Sequence, residues 1–157
     1  MSVLSRTVTL NAAFLREIKE DSLELRRLLA HLREAAGGYA LSAAPRLPLA
    51  LLEQVRDQLA LHFALEEAYG YFDDPVAVAP QLGYRAETLR GQHAELFREF
   101  VDLVEAAEML LHHESGAENA ASIAGRCRLF LDRLERHEAA ENELLIEAFA
   151  ADIGVGD

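Results

Sequence analysis

The sequence predicts an all-α fold, an up-down-up-down antiparallel four-helix bundle. Of the 157 residues, Ala, Leu, Glu and Arg supply 87, whereas the strand-favouring residues Val, Ile and Thr supply only 15. Glycine and proline divide the chain into four long segments, and each segment carries an apolar residue every three or four positions. Helices with this spacing pack nearly antiparallel around a shared core. We therefore expect a single domain over 1–157, with short tails of about 1–9 and 151–157.

The first two helices are predicted over about 10–36 and 48–71. Gly37-Gly38 ends the first and Asp73-Asp74-Pro75 follows the second, because glycine and proline stop helices. The predicted buried stripe of the first helix is Leu15, Ile18, Ser22, Leu25, Leu29 and Leu32. That of the second helix is Leu52, Val55, Leu59, His62, Glu66 and Tyr69.

The third and fourth helices are predicted over about 83–113 and 119–150, with Ser115-Gly116 between them. The buried stripe of the third helix is Leu82, Ala86, Leu89, His93, Leu96, Phe100 and Leu103. That of the fourth helix is Ile123, Cys127, Phe130, Leu134, His137, Glu141, Leu144 and Ala148.

Composition argues against several classes of protein. A net charge of −12 with no basic stripe argues against a nucleic-acid partner. A single cysteine rules out an internal disulfide framework and a cysteine-rich zinc finger. No apolar run reaches about 18 residues, so we expect a soluble, cytoplasmic protein with no membrane partner. No phosphate-binding loop or nucleophile elbow marks an enzyme active site.

Five ionisable residues interrupt the apolar stripes: His62, Glu66, His93, His137 and Glu141. Burial of a single unpaired imidazole or carboxylate costs several kcal/mol, so five such residues need a common explanation. The second and fourth helices each carry His-x-x-x-Glu, and a spacing of four places both side chains on one helix face. Counted from the shared turns, the five residues fall at one height in an antiparallel bundle. The sequence therefore predicts a nitrogen and oxygen site for iron, manganese or zinc.

The chain resembles the hemerythrin-like, or HHE cation-binding, family in three segments: Asp21-Ser22-Leu23-Glu24-Leu25-Arg26-Arg27-Leu28-Leu29, His62-Phe63-Ala64-Leu65-Glu66-Glu67 and His137-Glu138-Ala139-Ala140-Glu141. In that family a four-helix bundle holds a non-haem, usually di-iron, centre, and members bind oxygen, sense iron or oxygen, or repair damaged iron centres. The resemblance implies that Glu66 and Glu141 bridge two metals. It also implies that His62, His93 and His137 are terminal ligands.

The chain departs from that family in the first helix, where Ser22 occupies the position of the family's histidine. The oxygen-carrying branch has one more histidine, at the position of Leu89 here. Ser22 leaves three alternatives open. The first is that one metal is held weakly or lost. The second is that Asp21, Glu24 or Tyr69 substitutes as a ligand. The third is that the domain has lost its metal chemistry and kept the bundle. Reversible oxygen carriage is the activity that this departure harms most.

Other chemically capable residues are expected to have structural or solvated roles. Cys127 should be an inert thiol in the core, and Tyr69 should pack in the core rather than bind metal. Glu67 and Glu138 should be solvated, with acceptance of an imidazole N–H as the alternative. The other histidines should lie on the surface near helix ends: His31, His112 and His113.

The function favoured by the sequence is metal binding in the sensing or handling of iron, oxygen or nitric oxide. Iron is the expected cofactor, in a mononuclear or dinuclear centre, with manganese or zinc as alternatives. A small diatomic molecule such as oxygen or nitric oxide is the expected ligand. The competing hypotheses are an iron-dependent redox enzyme with an open coordination position and a metal-free helical interaction module.

Overall fold

The computed structural model describes the main chain of 2–37, 47–68, 76, 79–112 and 119–155, and the side chains of these residues apart from 2–15, 18 and 151–155. Within this part of the chain there are four long helices: α1 (Ser2–Gly37), α2 (Leu49–Ala68), α3 (Gly83–Leu111) and α4 (Ala120–Val155). The predicted all-α, four-helix fold is confirmed.

Local sequence explains where α3 and α4 begin. A short 3₁₀ turn over Pro80–Leu82 leads into α3. Proline suits the start of a helical segment, because the N–H groups of the first turn have no acceptor within the helix and proline has no N–H. Asn119 precedes α4, and its Oδ1 accepts a hydrogen bond of 2.8 Å from the Ser122 amide. This side chain satisfies one of the amides that a helix start leaves without a partner.

Two helices extend beyond their predicted bounds. α1 begins at Ser2, where we predicted a tail, and α4 continues to Val155, beyond the predicted end at about 150. An existing helix gains one hydrogen bond for each residue added, so it continues until a strong breaker intervenes. Gly154 disfavours a helix by only about 1 kcal/mol and does not stop α4. The predictions for Tyr69 and His113 fall outside the described residues.

The core follows the predicted stripes on three of the four helices. Every stripe residue of the third and fourth helices is buried, and so are the α2 stripe residues Leu52, Val55, Leu59, His62 and Glu66. The largest fully buried side chains are Phe100 of α3 and Phe130 of α4, whose ring centroids are 4.9 Å apart. Packing of these apolar faces fixes the height and rotation of the helices, and therefore the direction of their polar side chains.

The predicted stripe of α1 is wrong by one position in part of its length. Ser22 and Leu29 are only half-buried, and the buried residues are instead Asp21, Leu25, Leu28, Leu32 and Ala36. Both sets have helical spacing, so periodicity alone does not distinguish them. Burial of an acidic residue in a core is unfavourable unless the residue is paired. Asp21 is paired, as described below.

Cross-helix ion pairs give the direction of α4 relative to α3. Arg85 contacts Glu147, and Arg133 Nη1 lies 2.9 Å from Glu99 Oε2. Residue numbers rise along α3 as they fall along α4, which is the pattern of an antiparallel pair. The up-down-up-down order of all four helices stays a prediction. Within the described residues, no helix combines the length and apolarity needed to span a membrane.

Candidate metal centre

The α2 contribution to the cluster is His62 with Glu66, four residues apart. Both are nearly inaccessible to solvent, with exposed fractions of 7% and 3%. His62 Nε2 lies 2.5 Å from Glu66 Oε1, so the imidazole and the carboxylate face each other within one helix. The i,i+4 spacing predicted from the sequence therefore brings a nitrogen and an oxygen ligand atom to one point.

α3 and α4 bring three more side chains to the same place. His93 Nε2 lies 3.3 Å from Glu66 Oε2 and 3.2 Å from Glu141 Oε1. His137 Nε2 contacts Glu141 Oε1 one turn away on α4. All three are buried, and the ring of Phe63 stacks on His93 with centroids 4.2 Å apart. The structure therefore brings together all five residues that the sequence singles out.

This cluster can hold a metal ion. Glu66, His93, His137 and Glu141 each offer one ligand atom, and these four atoms lie within 4.8 Å of one another. Two ligand atoms bound to one divalent ion at about 2.1 Å are separated by about 3–4 Å. The distances from His93 Nε2 to the two carboxylates fall in this range. His62 lies outside this group of four and joins the cluster through Glu66.

Each imidazole is oriented by a second contact at its outer nitrogen. His62 Nδ1 lies 2.7 Å from Asp21 Oδ2. His93 Nδ1 lies 3.1 Å from Glu67 Oε1, and His137 Nδ1 lies 2.7 Å from Gln92 Oε1. An Nδ1–H that donates outward directs Nε2 inward, as is usual for histidines that bind metals. We name Asp21, Glu67 and Gln92 the outer acceptors.

Sequence reasoning identified the outer acceptors only in part. We favoured a solvated role for Glu67, but it bonds His93 while its side chain remains 46% exposed. We considered Asp21 as a metal ligand, but it stands behind His62. We missed Gln92, and its position next to His93 in the sequence was the available signal.

The cluster strongly perturbs the protonation of its members. Burial lowers the pKa of His62, but Glu66 and then Asp21 outweigh this effect and raise that pKa to about 9. The pKa of His93 is raised to about 9 in the same way, against its burial, by Glu141 and Glu66. Burial opposes ionisation of Glu66, but the facing imidazoles of His62 and His93 lower its pKa to about 2. In the absence of metal, ion pairs between the protonated imidazoles of His62 and His93 and the ionised carboxylate of Glu66 therefore stabilise the cluster.

Two ligand atoms in this network lack a hydrogen-bond partner of good geometry. They are Glu66 Oε2 and His137 Nε2, and both are fully buried. A buried polar atom without a partner costs about 1–3 kcal/mol. A cation between the carboxylates and the imidazoles would satisfy both atoms, so the donor set fits a metal ion.

A small cavity of about 120 Å³ adjoins the cluster between α1 and α4. Ser22, His62, Glu66, Glu138 and Glu141 are among its lining residues. Burial raises the pKa of Glu138 above its ordinary value. Ser22 therefore stands beside the cluster, as its position in the sequence suggested, but as part of a cavity wall.

The remaining candidates lie away from this centre. Glu24 forms an exposed ion pair with Arg27, and His31 and His112 are exposed, as expected. Cys127 is completely buried among apolar side chains, and burial raises the pKa of its thiol to about 11. A thiol in this state is unreactive, which agrees with the expected packing role.

Comparison with known proteins yields no relative. No family model matches the chain, and no match is found among curated proteins or solved structures.

Proposed function

We propose that this protein is a hemerythrin-like iron-binding domain that senses or handles iron, oxygen or nitric oxide. One observation carries the proposal: three imidazole Nε2 atoms and two carboxylates converge in the core, with every Nδ1 held by an outer acceptor. Each imidazole is thus held at its outer nitrogen while its inner nitrogen faces a carboxylate, an arrangement usual for histidines that bind metals.

The donor set is compatible with iron as the metal. It contains imidazole and carboxylate ligands and no thiolate, which suits Fe, Mn or Zn. Bound ferrous iron would supply a binding point for a small diatomic ligand such as oxygen or nitric oxide. Glu66, His93, His137 and Glu141 would hold the ion, and the ring of Phe63 covers His93.

The order of the ligands along the chain supports the family named in the proposal. In the iron-sensing and repair branches of that family, the ligands along the chain are a histidine, a His-x-x-x-Glu pair, a single histidine and a second His-x-x-x-Glu pair. The last three of these match His62 with Glu66, then His93, then His137 with Glu141. The first-helix imidazole is replaced by Ser22, which favours sensing or handling over oxygen carriage.

Metal analysis of protein produced with added iron tests the proposal. We expect at least one equivalent of iron in the wild-type protein and less than a fifth of that in His93→Ala, because His93 contacts both carboxylates. His112→Ala is the matched control, since His112 is exposed and should leave the iron content unchanged. Iron far below one equivalent in the wild type, with no effect of His93→Ala, would contradict the proposal.

A redox enzyme is the second candidate, favoured by the cavity that opens onto the cluster beside Ser22. Its expected signature is substrate-dependent oxygen consumption that is lost in Glu141→Ala. An iron-loaded protein that consumes no oxygen with any reductant or substrate tested would argue against an enzyme and leave metal binding intact.

A further inference from the structure

We propose that Gln92 is a positioning residue whose neutral hydrogen bond to His137 keeps the reduction potential of bound iron higher than a carboxylate in its place would. The inference rests on the proposed function and deepens it, because the reduction potential decides which oxidation state of iron the cluster favours. The difference between Gln92 and the other two outer acceptors, Asp21 and Glu67, carries the inference.

The three outer acceptors differ in charge. Behind two of the imidazoles stand the carboxylates of Asp21 and Glu67, at 2.7 Å and 3.1 Å from the respective Nδ1 atoms. His137 Nδ1 instead lies 2.7 Å from the amide oxygen of Gln92. An amide oxygen only accepts hydrogen bonds, so His137 Nδ1 carries the proton and donates it. Of the three imidazoles in the described cluster, His137 is therefore the one held by an uncharged side chain.

The position of His137 allows this outer hydrogen bond to affect a bound ion. The side chain is buried, and its Nε2 contacts Glu141 Oε1. His137 is also one of the four residues whose ligand atoms lie within 4.8 Å of one another. Its Nε2 has no hydrogen-bond partner of good geometry, so this atom is free to bind metal. The ring thus connects the amide at its outer nitrogen with the ligand cluster at its inner nitrogen.

The charge of the acceptor changes the strength of the imidazole as a ligand. A carboxylate draws the Nδ1 proton towards itself, which makes the ring more basic and more electron-donating at Nε2. A neutral amide does this less. Stronger donation stabilises ferric iron more than ferrous iron, because the ferric ion carries the higher charge. The amide of Gln92 therefore favours the ferrous state.

A groove of about 460 Å³ between α3 and α4 lies beside Gln92. Gln92 and His137 line it, together with two glutamates and two arginines: Glu95, Glu99, Arg133 and Arg136. Arg133 Nη1 lies 2.9 Å from Glu99 Oε2, so these two charges offset each other. Glutamate and glutamine have nearly the same shape, so Gln92→Glu changes the charge of the acceptor without creating or overfilling a cavity.

Reciprocal exchanges of amide and carboxylate test the proposal. Spectroelectrochemical titration without oxygen measures the reduction potential of the iron-loaded full chain. Gln92→Glu should increase the ratio of ferric to ferrous affinity by about tenfold, which lowers the one-electron potential by about 59 mV. Glu67→Gln, the opposite exchange behind His93, should raise the potential, and the double variant should return towards the wild-type value.

A charge control separates the hydrogen bond from a general electrostatic effect. Arg136→Gln makes the groove more negative by one unit, as Gln92→Glu does, but leaves the acceptor of His137 in place. Its potential should therefore shift much less than that of Gln92→Glu. Circular dichroism and metal analysis establish that each variant is folded and contains iron.

Removal of the acceptor supplies a spectroscopic readout that does not depend on iron. In the zinc-loaded wild type, nuclear magnetic resonance should detect an Nδ1 proton on each of His62, His93 and His137. Gln92→Leu should lose the signal of His137 and retain the other two, because Asp21 and Glu67 still hold those rings. Loss of all three signals would indicate a general disruption of the cluster and contradict a specific role for Gln92.

The outcomes separate this inference from the proposed function. Equal potentials for the wild type and Gln92→Glu would overturn the role of Gln92 and leave the metal centre standing. An equally large shift in Arg136→Gln would also overturn it, because charge alone would then account for the effect. Absence of bound iron from the wild type would overturn both proposals.

Discussion

At the scale of single residues, Asp21 shows how a charged side chain becomes part of a core. Its Oδ2 accepts from His62 Nδ1 at 2.7 Å, and its Oδ1 accepts from Gln58 Nε2 at 2.6 Å. Both carboxylate oxygens are therefore paired, which offsets the cost of burying the charge. Asp21 thereby holds the His62 ring from behind, on the side opposite Glu66.

We expect Asp21→Asn to weaken metal binding about 10–100-fold, because an amide orients and polarises the imidazole less well than a carboxylate. Competition against a chromogenic chelator measures the effect. Glu20→Gln, which alters the exposed neighbouring carboxylate, should leave the affinity unchanged. Equal affinities for the Asp21 variant and the wild type would show that His62 does not need this contact.

The imidazoles should make the stability of the metal-free protein depend on pH. The pKa values of His62 and His93 are raised from 6.5 to about 9, so their contribution is fully present below about pH 6.5 and is lost as pH rises through about 9. The pKa of Glu66 is lowered from 4.5 to about 2, so its contribution is present above about pH 4.5 and is lost as pH falls through about 2.

With a chelator present, we therefore expect the thermal midpoint to fall by roughly 5 °C or more between pH 6 and pH 9.5. Calorimetry at both pH values measures the fall. His93→Gln should reduce the dependence, whereas His112→Gln should not, since His112 is exposed. A midpoint that rises over this pH range would contradict the proposed ion pairing.

At the scale of elements, α4 provides a direct comparison of its buried and exposed faces. Leu134 is 1% exposed and Leu129 is 59% exposed. We expect Leu134→Ala to destabilise the protein by about 2–5 kcal/mol, which combines lost burial with the cavity left behind. Leu129→Ala should change the stability by less than about 0.5 kcal/mol. Urea unfolding of the two variants measures the difference, and equal losses would contradict the packing described for α4.

The helical stripes show what periodicity predicts well and where it stops. On α3 and α4 one apolar face stands out against a charged one, so the stripe and its polar interruptions could be located from the sequence. On α1, Asp21 and Ser22 are neighbours with equally plausible spacing, and only the partners Gln58 and His62 decide between them. Those partners lie about 40 residues away, and a local pattern contains no such information.

The same limit applies to the candidate site. His62, Glu66, His93, His137 and Glu141 interrupt apolar stripes, so each is conspicuous in the sequence. Gln92 and Glu67 occupy positions that look solvated, and their role depends on the rotation of one helix against the next. The approach of Glu138 to His62 likewise depends on tertiary structure, because the two residues lie on different helices.

At the scale of the whole molecule, metal binding should stabilise the fold. A ligand that binds only the native state stabilises it by about 4 kcal/mol at a free concentration of 1,000 Kd. For a chain of this length, that free energy corresponds to a rise of roughly 8–16 °C in the thermal midpoint. The rise should be larger at pH 8 than at pH 6, since the metal must displace protons from the imidazoles.

Thermal scans with ferrous ion and with chelator measure this rise. Glu141→Ala should remove most of it, because Glu141 is one of the four residues whose ligand atoms lie within 4.8 Å of one another. An identical midpoint with and without metal would favour the alternative of a metal-free interaction module.

The outer acceptors also bear on the order in which the chain can fold. Asp21 of α1 bonds His62 of α2, Glu67 of α2 bonds His93 of α3, and Gln92 of α3 bonds His137 of α4. Each imidazole is thus oriented by the helix that precedes it, and synthesis delivers that helix first. The contact between α1 and α4 can form only after α4 has been synthesised, when the three outer acceptors are already present in the chain.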